Sequence, residues 1–149
     1  MKKINLNSIT QKEILQIEKQ FERIALNKIR NNQEKFRKIG LEIEAAFGRV
    51  GDEKVIGNEV QPSDCFENTY NSLVFFSAAY VDGAGFHDNE VGYCVDHLDI
   101  WICERRLFSG KVGYLSDLES DEEIAKEIQN RIDELYLEAA EMIEMLNES

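Results

Sequence analysis

A histidine and a carboxylate two residues apart form the most chemically suggestive pair in the sequence. On a β-strand, His97 and Asp99 would share one face. An imidazole beside a carboxylate is what general-base catalysis or metal binding requires. No H-x-E or H-E-x-x-H pattern and no closely spaced cysteine pair accompanies them. We therefore expect the pair to lie on the solvent face of a half-buried sheet, and we predict neither a metal nor a cofactor. The catalytic alternative is a hydrolase-type enzyme in which Asp99 orients His97 and Arg105 holds an anionic substrate.

Two groups of cations could together bind a phosphorylated ligand. Residues 28–38 contain five cations opposed by Glu34 alone, and Arg105-Arg106 is a further basic doublet. Guanidinium groups bind phosphate through paired hydrogen bonds. If the first helix passes the end of the strand that carries the doublet, the two groups would form one anion pocket. An aromatic ring would stack on the ligand. The predicted ligand-binding residues are Arg30, Arg37, Phe86, Trp101, Arg105 and Arg106.

The C-terminal segment carries the opposite charge. From Ser120 onward, isoleucine and leucine residues recur at helical spacing, and acidic residues cover much of the remaining surface. Such a face could be only a soluble surface. It could also present a phosphate-like array to a basic nuclease or nucleic-acid-binding protein, as small acidic inhibitors do. The predicted partner-binding residues are Glu127, Asp133, Glu134 and Glu138.

The net charge of −12 is unevenly distributed. Residues 1–54 hold twelve Lys and Arg against eight Asp and Glu, whereas residues 55–149 hold five against twenty-one. The acidic part would repel phosphate, so direct nucleic-acid binding is not expected. A basic partner, or contact between opposite ends of neighbouring copies, fits the distribution better.

The elements that would position these residues begin with a long helix. Thr10 and Glu13 match a capping box, and apolar residues follow at steps of three and four as far as Phe47. We predict one helix over about 10–47, with a bend at 30–34 or near Gly40 as alternatives. At 1.5 Å per residue it would measure roughly 57 Å, which is longer than a domain of this size is wide. The excess must fold back or pack on another copy, so we expect a homo-oligomer.

Strand patterns follow the first helix, and a second helix ends the chain. We predict a short strand at 54–56, strands at 73–81, 91–104 and 111–115, and a plain hairpin loop around the G-x-G of residues 83–85. Ser120 and Glu123 form a second capping box. The sequence therefore predicts one α+β domain over 1–149. It would have a long N-terminal helix, a small antiparallel sheet of about three to four strands at about 54–115, and a C-terminal amphipathic helix at about 121–147.

Location and function follow from what the sequence contains and lacks. No apolar run approaches the roughly 20 residues of a membrane span, no secretory signal opens the chain, and three cysteines form no close pair. We expect a cytoplasmic protein, in the host cell if it is virus-encoded, with no membrane contact. The leading hypothesis is a non-catalytic binding or inhibitor protein of the immunity or anti-defence type, acting on a basic protein surface as an oligomer. The alternatives are a sponge-like binder of a phosphorylated small molecule or nucleotide, and the His97/Asp99 hydrolase.

Overall fold

Capping boxes begin both long helices. The structure is a computed structural model that describes residues 1–52, 59–80, 93–108 and 110–148. Helix α1 spans Gln11–Arg37, and helix α2 spans Asp121–Glu148. The Thr10 hydroxyl accepts from the Glu13 N–H at 3.1 Å, and the Glu13 carboxylate accepts from the Thr10 N–H. Ser120 and Glu123 repeat the arrangement at the start of α2. Each box satisfies backbone N–H groups that the first helical turn leaves unpaired, and both predicted helix starts are confirmed.

The end of α1 differs from the prediction. The helix stops at Arg37, and Gly40 at φ +82° turns the chain into strand β2, which spans Leu41–Val50. Leu41 and Ile43 are fully buried while Glu44 is exposed, which is the alternation of a strand. The spacing of apolar residues in this segment fits a helix as well, so the predicted helix over 10–47 was about ten residues too long. At roughly 40 Å, α1 no longer gives a reason from length to expect an oligomer.

Five strands form one antiparallel sheet. Besides β2, these are β1 (Lys2–Ile4), β3 (Asn71–Tyr80), β4 (Tyr93–Arg106) and β5 (Gly110–Leu115), in the order β1-β5-β4-β3-β2. The α+β class is confirmed, but the sheet starts at Lys2 rather than near residue 54 and has more strands than predicted. A three-residue strand such as β1 gives almost no sequence signal. The predicted strand at 54–56 and the hairpin loop with Phe86 lie outside the described residues.

Both helices pack side by side on one face of the sheet and run in the same direction. Gln20 and Arg23 bind Asp121 at the start of α2 and lower the pKa of that carboxyl group. Farther along, the Phe36 and Tyr136 rings pack edge to face, with 5.4 Å between their centroids. Apolar residues of both helices and of the sheet join in one core. Burying this common core is what fixes the helices against the sheet.

The sheet has two ends that matter for the surface. At the α1-exit end, Gly40 leads into Leu41, which pairs with Tyr80. At the hairpin end, β4 continues past the pairing of Asn71 with Ile102 and stops at Arg106, which pairs with Gly110. Because both helices run from the hairpin end toward the α1-exit end, the last turns of α2 lie far from the β4–β5 hairpin.

A bulge in β4 changes which side chains face the core. The register between β3 and β4 shifts at Ser72 and Leu73, so that Ile100 and Trp101 are both fully buried. The Trp101 indole N–H donates to the Cys65 carbonyl oxygen at 2.8 Å. Its ring occupies the space above Gly113, where a Cβ atom would lie 2.0 Å from Cη2. Trp101 is therefore a core residue, and the expectation that it stacks on a ligand ring is wrong for this structure.

Candidate functional site

A stripe of exposed residues runs along the outer side of α2. Residues 124, 128, 132, 135 and 139 of this helix are buried in the core, so the opposite side faces solvent. We call the following five residues the α2 outer stripe: Glu134, Leu137, Glu138, Glu141 and Met145. Their spacing of three and four residues places them on one face. The three carboxylates are exposed, and two large apolar side chains lie among them, with Leu137 65% and Met145 71% exposed.

The outer stripe makes no polar contact with the rest of the described chain. Among the described residues, no ion pair or hydrogen bond engages Glu134, Glu138 or Glu141. Glu127 and Asp133 behave differently. Glu127 Oε1 accepts from Arg131 Nε at 3.1 Å, and Asp133 Oδ1 accepts from Gln129 Nε2 at 2.9 Å.

The four acidic residues predicted to bind a partner therefore divide into two pairs. Glu134 and Glu138 are on the outer stripe. Asp133 also lies 3.7 Å from Lys35 Nζ, so it helps to join α2 to α1. Arg131, which holds Glu127, donates to the His97 carbonyl oxygen of β4 at 2.6 Å. Glu127 and Asp133 help to hold the helix in place, and Glu134 and Glu138 are left available to another molecule.

The His97–Asp99 pair has an open geometry. His97 Nε2 and Asp99 Oδ2 are 4.0 Å apart, too far for a hydrogen bond. The His97 side chain is 55% exposed, and its ring lies 6.2 Å from the Phe75 ring. A groove of about 270 Å³ is lined by Asp99 together with Leu98 and Arg131, but not by His97. Within the described ranges, no three His, Cys, Asp or Glu side chains are grouped so as to hold a metal ion.

The two basic groups lie at opposite ends of the sheet. Arg37 pairs with Glu42 Oε1 at 3.5 Å, close to the α1-exit end. Arg106 lies at the hairpin end, where its guanidinium is 3.5 Å from Glu104 Oε2 and bonds the Tyr114 hydroxyl. The expected common anion pocket is therefore not formed. Arg30 is exposed and instead lines a groove of about 550 Å³ along α1, together with Lys19, Glu22, Arg23, Ile24, Leu26 and Asn27.

A buried polar cluster was not anticipated from the sequence. Glu18 is almost completely buried; one carboxylate oxygen accepts from Arg49 Nη2 at 3.0 Å, and the other accepts from the Tyr70 hydroxyl. Arg49 Nε also donates to the Tyr70 oxygen at 3.0 Å. Burial and the Glu18 charge raise the pKa of the Tyr70 phenol well above its usual range. The available signal was Glu18 itself, which lies four residues after Ile14 and three before Phe21, among core positions of α1.

This buried cluster joins elements rather than offering groups to a ligand. Tyr70 lines a cavity of about 290 Å³ with Asp52, Glu67 and Asn68 among the other lining residues. Its hydroxyl, however, is already used by Glu18 and Arg49. The cluster therefore ties α1 to β2 and to the start of β3.

Comparisons of the chain with protein-family models, with curated proteins and with solved structures find no match. Neither helix in the described part of the chain has an apolar stretch long enough to cross a membrane.

Proposed function

We propose that this protein is a non-catalytic binding protein that blocks or sequesters a partner by docking a basic surface on the α2 outer stripe. The supporting observation is the combination in one stripe of three exposed carboxylates, which pair with no other described residue, and two exposed apolar side chains. Inhibition of a basic target, as by proteins of the immunity or anti-defence type, would use such a surface.

The chemistry of the stripe defines the partner it would accept. Carboxylates attract and orient a surface rich in Lys and Arg. Leu137 and Met145 would enter apolar depressions between those cations, and their burial would supply most of the affinity. Singly exposed apolar side chains are ordinary on a protein surface, so the proposal is supported by their placement among carboxylates on one helix face and not by their exposure alone.

The contacts that hold α2 against β4 and α1 favour binding without rearrangement of the helix. Arg131 bonds both Glu127 and the backbone of β4, and Lys35 lies beside Asp133 and over the Tyr136 ring. A helix held in this way presents its outer stripe in one orientation, which lowers the entropy lost on binding.

The test uses a defined basic probe, a fluorescently labelled helical peptide of lysine and leucine, and measures its anisotropy. Glu134→Lys combined with Glu138→Lys should weaken binding at least about tenfold, a change of about 1.4 kcal/mol. The matched control, Glu34→Lys with Glu44→Lys, makes the same change in net charge at exposed positions of α1 and β2 and should weaken binding less than about threefold. Equal losses in the two variants would show that the peptide follows net charge, and the proposal would then fail.

A neutral substitution separates the apolar contribution from the charge. Leu137→Ser leaves every carboxylate in place and removes an exposed side chain, so it should not affect folding. We expect this substitution to weaken binding of the same peptide by about three- to tenfold. Unchanged binding would mean that the stripe acts through charge alone.

The groove at Arg30 supports a second candidate, a binder of phosphorylated small molecules or nucleotides. Lys19, Arg23 and Arg30 bring three cations to that groove. Calorimetric titration with ATP and with inorganic phosphate tests it: Arg30→Ala should remove the binding heat, and the α2 outer-stripe variant should retain it. The hydrolase alternative has no comparable support, because His97 Nε2 and Asp99 Oδ2 are 4.0 Å apart and His97 does not line the groove that contains Asp99.

A further inference from the structure

The β4–β5 hairpin carries two apolar side chains that project into solvent. Leu107 is 88% exposed and Phe108 is 96% exposed, the highest values among the large hydrophobic residues of the described chain. Three cations flank them, opposed by Glu104. We call this group the hairpin tip: Arg105, Arg106, Leu107, Phe108 and Lys111. Isolated exposed apolar residues are ordinary, but two adjacent ones within a basic surround form a chemically defined docking element.

The hairpin tip and the α2 outer stripe are chemical complements. The tip offers cations around two apolar side chains, and the stripe offers carboxylates around two apolar side chains. Phe108 is a large aromatic anchor of the kind that dominates binding energy at interfaces. The Arg105 side chain makes no ion pair within the described residues, so it is available to a carboxylate of the stripe.

The two surfaces cannot meet within one molecule. The tip lies at the hairpin end of the sheet, beyond the pairing of Arg106 with Gly110. The stripe begins beside the contact of Tyr136 with Phe36 and continues beyond it, toward the opposite end, where α1 leads into β2. Separation on opposite ends allows the tip of one copy to reach the stripe of the next.

We infer that the hairpin tip of one copy docks on the α2 outer stripe of a second copy, in a head-to-tail contact. This inference rests on the proposed function, since it takes the stripe as a docking surface and names one basic occupant for it. A contact between two different surfaces leaves a free tip and a free stripe on the pair. Further copies can therefore add, and the assembly forms a ring if the rotation between copies closes or a chain if it does not.

The contact is small, so it belongs to the weak class. About five residues on each side bury less surface than a stable dimer requires. We expect a dissociation constant of roughly 100 µM at low salt. Raising the ionic strength screens the attraction between exposed charges, because the Debye length falls from about 30 Å at 0.01 M to about 3 Å at 1 M.

Self-association would also regulate the proposed function. A stripe covered by the tip of a neighbouring copy is not available to a basic partner. A partner that binds more tightly than roughly 100 µM would displace the tip and dissolve the assembly by mass action.

The test is complementation between two variants of the full chain, followed by sedimentation velocity from about 10 to about 300 µM, a range that brackets the expected constant. The tip variant carries Leu107→Ser, Phe108→Ser and Arg105→Ser, and the stripe variant carries Glu134→Lys and Glu138→Lys. We expect the natural chain to self-associate as its concentration rises. Each variant alone should remain monomeric. An equimolar mixture should form a one-to-one pair and grow no further, because the mixture contains one intact tip and one intact stripe for each pair.

Three outcomes overturn the inference. A natural chain that stays monomeric over the whole range excludes the contact. Self-association that survives in the tip variant places the contact elsewhere. A monomeric natural chain that sediments with phosphatidylserine vesicles, when the tip variant does not, makes the tip a membrane anchor instead. In each case the lysine–leucine peptide titration still decides the proposed function separately, since it requires the stripe but not the tip.

Discussion

The buried cluster of Glu18, Arg49 and Tyr70 and the exposed pair of His97 and Asp99 contain similar chemistry in opposite surroundings. Each sets a carboxylate beside a nitrogen-containing side chain. Glu18 and Arg49 are 3.0 Å apart, with side chains only 2% and 17% exposed. His97 and Asp99 are 4.0 Å apart, and the imidazole is largely in solvent. The first pair has lost most of its water and depends on its partners, whereas in the second the imidazole stays hydrated and Asp99 is half-buried, with Asn71 as a donor.

The comparison shows why neighbours in the sequence were a poor guide to interacting groups. His97 and Asp99 are two residues apart and share a strand, which brings them near each other without making a bond. The members of the buried cluster come from α1, β2 and the residue just before β3, and Glu18 is separated from Arg49 by 31 positions and from Tyr70 by 52. Folding of the core brings them together, so their energetic importance depends on burial that spacing does not reveal.

The largest expected effect comes from removing the buried carboxylate. Glu18→Ala would leave Arg49 charged and poorly hydrated against the core, and would leave the Tyr70 hydroxyl without an acceptor. We expect a loss of about 3–5 kcal/mol in the free energy of unfolding. Urea denaturation followed by circular dichroism measures it. Glu34→Ala, at an exposed position of the same helix, is the control and should cost less than about 0.5 kcal/mol.

A milder variant keeps this prediction testable if Glu18→Ala fails to fold. Tyr70→Phe removes one hydroxyl group and preserves the ion pair. It should cost about 1–2 kcal/mol, because the carboxylate then loses one of its donors. If both variants were as stable as the natural chain, the cluster would not hold α1 to the sheet.

The sequence was informative where local chemistry decides the structure. Thr10 with Glu13 and Ser120 with Glu123 satisfy their own helix ends, so both helix starts could be predicted. Strand β3 could be recognised from a continuous apolar run, β4 from alternating apolar and polar residues, and β5 from the turn that precedes it. Residues 41–47 could not be assigned, because their apolar spacing suits both a helix and a strand, and only Gly40 with its positive φ ends the helix.

Site residues divided in the same way. The acidic outer face of α2 could be predicted from its helical spacing, and Glu134 and Glu138 are indeed exposed. The inward role of Glu127 depends on Arg131, and that of Asp133 on a lysine from the other helix, which the sequence cannot place. Trp101 was predicted to face a ligand because side chains on a regular strand alternate between the two faces of the sheet. The bulge at Ile100 shifts that alternation, so the Trp101 side chain enters the core.

The next prediction concerns the thiol of Cys65, whose pKa is affected by the charge of Glu18 in the buried cluster. Burial and the Glu18 charge raise the pKa of Cys65 from 9.0 to about 11. The thiol therefore stays protonated in the folded chain at pH values where the unfolded chain has already released its proton. The stabilisation is complete below pH 9 and is lost as the pH rises from about 9 to about 11, by up to about 3 kcal/mol.

Urea denaturation at a series of alkaline pH values measures this loss. Cys65→Ala should flatten the dependence on pH in that window, even if it lowers stability at neutral pH by leaving a small cavity. Tyr70 and Cys103 remain in the variant, and both have raised pKa values, so a smaller decline is expected to persist within and above this window. An identical slope in the two proteins would show that Cys65 is not shielded.

A smaller effect concerns the exposed edge of the sheet. The Gln33 side chain donates to the Ile43 carbonyl oxygen and accepts from the Ile43 N–H, both at 2.8 Å, and so pairs with β2 as another strand would. Gln33→Ala should cost about 1–2 kcal/mol and open a stretch of edge strand. Thermal unfolding measures the loss, and light scattering detects any aggregation. Asn31→Ala, at an exposed position on the same helix, is the control. If the Gln33 variant were as stable as this control, water would replace the hydrogen bonds of the Gln33 amide without loss of stability.

The smallest effect is expected at His97, where an enzyme would show the largest. His97→Ala removes a solvated imidazole that bonds no carboxylate, so it should change the free energy of unfolding by less than about 0.5 kcal/mol. It should also change the affinity for the lysine–leucine peptide less than about twofold, because the imidazole is not part of the α2 outer stripe. Asp99→Asn, which retains the size of the side chain, should behave alike. A loss above about 1 kcal/mol in either variant would mean that the exposed pair resembles the buried cluster after all, and that its 4.0 Å separation closes in solution.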